Sequence, residues 1–289
     1  MVRWFFSSQA LDMTMRAPVQ TPKIPRPLRQ TRAFAHMPWL WAVSGALTGF
    51  LVAMLAYAPA SWLAAALQFS SGQRVLLEDV RGTVWNASAR LTLSGGAGSV
   101  DAKTLPGRVH WRAVPKPWGL AVSVRADCCM RQAWDARLAG SWSGLQLQMA
   151  DHASDWPAEL LTGLGTPWNT IQAQGRLRLS SDALVVQWLA GRLRLDGRVQ
   201  LEAQDMSSRL STVRPMGSYR LILQGGSSPS LSLETISGAL QLTGQGQWVG
   251  QRLRFSGQAS AAAGFEGVLS NLLNIIGRRQ GERSIIQLG

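Results

Sequence analysis

The residue types that most often do chemistry are sparse and scattered in this chain. His36, His110 and His152 stand far apart, and none has a second ligand at metal-site spacing. Gly95-Gly96-Ala97-Gly98 lacks the Lys and the helix that complete a phosphate-binding loop, so it reads as a turn. No Gly-x-Ser-x-Gly elbow precedes a usable acid and histidine. The 16 acids are dispersed, and pairing between them stays open on sequence alone. With no converging acid, base and nucleophile, the chain reads as a non-enzyme with no metal and no cofactor.

Cys128 and Cys129 are adjacent and are the only cysteines. Three readings compete: a vicinal disulfide, a bridge to another chain, or two thiols on a strand. A bond between neighbours closes a strained ring, because consecutive Cα atoms lie about 3.8 Å apart across a trans peptide. The absence of an intramolecular bond is therefore favoured.

Arginines recur in pairs at alternate positions: Arg176 and Arg178, Arg192 and Arg194, Arg252 and Arg254. In a strand each pair shares a face. With a formal net charge of +13, such a stripe could meet nucleic acid, anionic headgroups or water. Location decides, and the elements that carry these residues set the location.

No Asp, Glu, Lys or Arg occurs between Arg32 and Arg74. Inside that stretch, Trp39 to Ala58 is long and apolar enough to cross a bilayer as a helix. Trp39 and Trp41 at one end, and Tyr57 and Trp62 at the other, match the aromatic belts of a spanning helix. Pro38 suits its first turn, and Pro59 marks its end. A cleaved signal peptide would have a shorter apolar core nearer the N-terminus. Arg3, Arg16, Lys23, Arg26, Arg29 and Arg32 precede the span against one acid, Asp12, so the N-terminus is expected in the cytoplasm. Three regions follow: a basic, Pro-rich cytoplasmic tail (1–37), a single transmembrane helix (38–60) and an external all-β domain (61–289). The tail has nothing to build a core from, which favours a disordered topogenic segment over a docking site. An external domain also argues against nucleic acid.

Beyond Ser70 the sequence turns to short alternating runs broken by Gly or Asn. Examples are Arg74–Val80, Ala89–Leu93, Gly107–Trp111, Gly175–Leu179, Gly191–Leu195, Arg220–Leu223, Leu231–Leu233, Ala239–Leu242 and Gln251–Phe255. The pattern predicts a long twisted antiparallel sheet, a trough or partly closed barrel, with Leu and Val on one face and Arg and Gln on the other. Two helices interrupt it. One starts at Asp155 and stops near Leu164. The other carries Phe265, Val268, Leu269, Leu272, Leu273 and Ile276 at helical spacing, ends at Gly277 and plugs one end of the sheet. A final strand covers Ser284–Leu288.

Four segments carry a family resemblance: Val80–Ala87, Leu105–Trp111, Leu210–Leu221 and Leu272–Arg279. In this order and spacing the chain resembles the type II secretion system protein N family. The resemblance implies a non-enzymatic, bitopic inner-membrane subunit of the general secretion pathway, which exports folded periplasmic proteins across the outer membrane. It implies other type II secretion subunits as partners: the inner-membrane platform, with the outer-membrane secretin as a further candidate. The tail exceeds the compact family pattern, which makes Met13, Met15 and Met37 alternative starts. The competing class is an AsmA-like lipid-binding or lipid-transfer protein, whose apolar β-groove would hold acyl chains; other small-molecule ligands are not expected.

Overall fold

The computed structural model describes residues 39–289 except 143, 190 and 251, and Leu288 by its backbone alone. The expected tail, Pro38 and His36 lie outside the described residues. The chain divides into two compact units, Met1–Phe50 and Leu51–Gly289.

Helix α1 (Trp39–Ala56) has 18 residues and none is buried. Its mean hydropathy is 1.7. An apolar helix with no buried residue suits a bilayer, and 18 residues at 1.5 Å rise reach about 27 Å. Pro59, at φ −68°, stops the chain and precedes α2 (Ala60–Ser70). This second helix departs from the sequence expectation, which put strands next. Its Ala- and Leu-rich run favours helix, and small Ala60 fits closely against Ala87, Ala89 and Trp111.

Sixteen strands follow, all in one sheet among the described residues: β1 (Val75–Thr83), β2 (Asn86–Ser94), β3 (Ala102–Thr104), β4 (Val109–Lys116), β5 (Gly119–Ala126), β6 (Trp134–Ser141), β7 (Gly144–Met149), β8 (His152–Pro157), β9 (Gln174–Leu189), β10 (Arg192–Ser207), β11 (Gly217–Gln224), β12 (Ser230–Gly238), β13 (Leu240–Val249), β14 (Arg252–Ala261), β15 (Arg278–Gln280) and β16 (Arg283–Leu288). The order is β1-β2-β4-β5-β6-β7-β9-β10-β11-β12-β13-β14-β16-β15, with β3 beside β2 and β8 beside β9. The path does not close, so this is a long, open antiparallel sheet, as the alternation predicts. β7 and β8 act as two halves of one strand, pairing with the upper and lower parts of β9.

Period-two alternation survives even the irregularities. Between Asp196 and Arg198 the register shifts, and Gly197 (φ 97°) faces Ala183 (φ 46°). One extra residue in β9 keeps Val186 and Leu179 on the same face, opposite Leu195 and Leu201. The face then reads Leu120, Leu138, Leu147, Val186 and Leu195 across five strands. Further along it reads Leu179, Leu201, Leu221 and Leu233.

Shorter helices cover one edge. The first expected helix is a 3-10 helix, Ala158–Leu164, and Asp155 does not cap it; Asp155 belongs to β8. Pairing of β8 with β9 takes these residues into the ladder before Pro157 can start a helix. Helix α3 (Trp168–Ile171) follows. Helix α4 (Glu266–Ile276) matches the second expectation and stops at Gly277. Leu269, Leu272 and Leu273 are buried against Met216, Tyr219, Leu240 and Ala259. Phe265 and Val268 face outward. Arg278 and Arg279 begin β15 rather than finishing the helix.

Truncating α4 separates its two faces. Leu273→Ala should lower unfolding stability by about 2–5 kcal/mol, as for other buried leucines. Val268→Ala should change it by less than about 0.5 kcal/mol. Urea denaturation of the two variants, followed by β-sheet circular dichroism, measures the difference.

Candidate membrane and partner interface

The hairpin β1–β2 turns at Val84 and Trp85, and this tip meets the end of the apolar helix. The Val84 amide donates to the Ala58 carbonyl at 2.9 Å. The Trp85 indole donates to the Leu55 carbonyl at 2.9 Å. Pro59 bridges Thr83. These bonds satisfy carbonyls that a helix end leaves without partners. The Trp111 indole braces the tip from β4 by donating to the Val84 carbonyl at 3.1 Å.

Below the tip, Arg108, which precedes β4, ties β1 to β2. Its guanidinium donates to the Asp79 carboxylate at 2.6 Å, the Asp79 carbonyl at 2.5 Å and the Ser88 carbonyl at 3.1 Å. Asp79 takes a left-handed φ of 48° at a register shift, a conformation that costs energy for a residue with a Cβ. Donation from Arg108 and then from Arg81 holds the Asp79 carboxyl below its usual range. Asp127 is likewise held low, chiefly by His110, whose Nε2 lies 3.2 Å from Oδ2.

The outer face carries a ladder of alternating charge. Asp155, Arg178, Glu202, Arg220 and Glu234 are register neighbours from β8 to β12. Arg178 meets Asp155 at 3.0 Å, and Arg220 meets Glu202 at 3.0 Å and Glu234 at 2.9 Å. Arg220 holds the Glu202 carboxyl low, against the effect of burial. The expected arginine stripe is thus partly neutralised. Arg176 and Arg194 also reach acids, Asp205 and Asp196.

Trp39, Trp41, Tyr57 and Trp62 are all exposed, the first two in the opening turn of α1, Tyr57 just past its end and Trp62 in α2. Cys128 and Cys129 are joined in a disulfide, against the favoured reading. They lie in a tight turn where the amides of Cys129 and Met130 both return to the Ala126 carbonyl, and this brings adjacent side chains together. Cys129 packs with Leu105, Ala126 and Leu160, while Cys128 is exposed. Among the described residues no three His, Cys, Asp or Glu side chains gather where a metal could bind. His152 stacks on Trp134 with ring centroids 5.5 Å apart, and burial pushes its pKa down. The roles of Trp85 and Arg108 are not evident from single residues, although both lie in segments of the family resemblance.

The family described as type II secretion system (T2SS), protein N, matches residues 73–286. No curated protein and no solved structure gives a significant match.

The lowered carboxyls set the sign of a pH effect. Asp79, Asp127 and Glu202 have folded pKa values below their unfolded ones, so their stabilisation is full above the unfolded carboxylate range and is lost as pH falls through the folded values. The thermal midpoint of the protein should therefore be flat above about pH 5 and fall below about pH 4. Glu202→Gln should flatten part of that acid limb. Melting curves at a series of pH values test this, and an unchanged slope in the variant would remove Glu202 from the account.

Proposed function

The chain belongs to the type II secretion system protein N family, and from that premise we propose that it serves in the cell's inner membrane as a single-pass, non-enzymatic subunit of the secretion machine. The carrying observation is the family match, which spans most of the sheet. The N-terminus stays in the cytoplasm because the residues before α1 are rich in arginine. The sheet domain lies in the periplasm. Trp39, Trp41, Tyr57 and Trp62 lie at the two membrane surfaces, where an aromatic ring with one polar edge is favoured.

The subunit works by contact. Its partners are the inner-membrane platform subunits and, across the periplasm, the outer-membrane secretin. A membrane tether raises effective concentration near such partners without any new contact. The helix therefore acts mainly as an anchor, and the sheet carries the specific surface.

A phosphatase reporter fused after Gly289 should be active, and activity from a reporter that works only in the cytoplasm would reverse the topology. Deleting the gene should lower export of type II substrates or destabilise partner subunits. Replacing Trp39–Ala56 with an unrelated spanning helix should retain much of the export. Leu221→Pro should abolish it, because it removes a ladder donor in β11 and disturbs the apolar row of Leu201 and Leu233. Normal secretion in the deletion strain with altered phospholipid distribution would replace this reading by a lipid-handling one.

A further inference from the structure

In an antiparallel meander, alternate turns lie on the same edge of the sheet. The register from β1 to β16 therefore puts the turns β1–β2, β4–β5, β6–β7, β9–β10, β11–β12 and β13–β14 on one edge. The first of these is the Val84–Trp85 tip, bonded to Leu55 and Ala58 at the end of α1. The same edge that receives the apolar helix thus carries the later tips.

Three adjacent tips on that edge expose tryptophan. Trp118, in the turn β4–β5, is 83% exposed, and Trp142, in β6–β7, is fully exposed. The two border one open cleft with Gly140 and Ser141. At the β9–β10 end, Trp188 is flanked in register by Leu145 and Leu193, each more than half exposed. Strands lie about 4.8 Å apart, so the three tips span roughly 20 Å. Trp118 and Trp142 thus bury little or none of their rings against the sheet, although indole is costly to leave in water. Among the described residues the exposed basic side chains of Lys116, Arg192 and Arg252 at the tips reach no acid. The opposite edge differs in kind: the 3-10 helix and α4 cover it with buried leucines.

We propose that this tip edge is a second membrane contact, in which Trp118, Trp142 and Trp188 insert at the interface of an anionic bilayer and Lys116, Arg192 and Arg252 meet its headgroups. Two features select a bilayer over a protein. The edge is continuous with the end of the apolar helix, and its composition is that of a membrane interface: indole rings beside unpaired cations. The inference rests on α1 being the span. Anchored at one hairpin by the helix and at three others by tryptophan, the domain is held against the bilayer along this edge and presents its far edge outward.

The test uses the full-length chain in vesicles of phosphatidylethanolamine and phosphatidylglycerol. A single thiol is introduced by Trp142→Cys, Leu47→Cys or Glu282→Cys and labelled with an environment-sensitive fluorophore; the native pair, being bonded, does not compete. Nitroxide lipids labelled near the headgroup should quench most of the signal at 142 and leave 282, in the β15–β16 turn of the far edge, unquenched. Lipids labelled deep in the chain should quench 47. Replacing Trp118 and Trp188 by Ser, or phosphatidylglycerol by phosphatidylcholine, should reduce quenching at 142. A label at 142 that is unquenched while 47 is quenched overturns the tip contact and leaves the span intact. An unquenched label at 47 overturns the span and the tip contact with it. Equal quenching at 142 and 282, or a label at 142 that nitroxide lipids leave unquenched but that quenches itself between copies as protein density rises, also overturns the proposal, the latter in favour of contact with a second copy.

Discussion

Two hydrogen bonds at one hairpin tip set the layout of the sheet domain. Val84 donates to Ala58, and the Trp85 indole donates to Leu55. Because every later strand is antiparallel to its neighbour, placing the first tip at the helix end decides which later turns share its edge. Nothing downstream has to specify this again. Arg108 supports the arrangement by bonding the carbonyl and carboxylate of Asp79, which lets the first strand bend at its register shift without losing β2. A strained residue persists only where its surroundings hold it, and here one guanidinium holds its backbone carbonyl and one carboxylate oxygen while Arg81 holds the other.

The two faces of the sheet are stabilised differently. On the outer face, Asp155, Arg178, Glu202, Arg220 and Glu234 alternate in sign across five strands. Single exposed ion pairs contribute about 0–1 kcal/mol, but register matters here more than energy. A slip of one residue between β9 and β10 would set Arg178 opposite Leu201 or Ala203, break the ion-pair ladder and turn the leucine rows outward. On the inner face, leucine and valine rows run from strand to strand with partial exposure, since helices cover only one edge. Charge on one face and apolar burial on the other thus enforce one register.

Much of this is legible in the sequence because the dominant signal has a period of two. Runs such as Gly175–Leu179 and Arg220–Leu223 predict strands that the structure places in β9 and β11. The stripe from Leu269 to Ile276 predicts α4. Three features escape for physical reasons. Helix α2 is short and Ala-rich, and it follows a proline, so it looks like the tail of the apolar run. Asp155 resembles a helix cap, but its partner Arg178 is 23 residues away and pulls it into the ladder. The Cys128–Cys129 bond depends on a turn closed on Ala126, which pair spacing does not report. The interface is harder still. Tryptophan is abundant in the composition, but only register shows that Trp118, Trp142 and Trp188 fall on the edge that Trp85 occupies.

The distribution of burial makes the two edges mechanically different. The 3-10 helix and α4 bury leucines and an alanine against the edge far from α1, and the largest packed cluster lies under α4. At the tip edge, the hairpin ends of β4 to β10 have ladder bonds but little covering them. Local stability follows buried contacts, so these ends open at a lower cost than the packed edge. A hairpin end that is weakly held in isolation can adjust its side chains to a surface without disturbing the core beyond it. The packed edge, by contrast, keeps its shape whether or not anything binds. The domain thus has one edge that can adapt to a surface and another that stays rigid, and both follow from where the leucines of the 3-10 helix and α4 are buried.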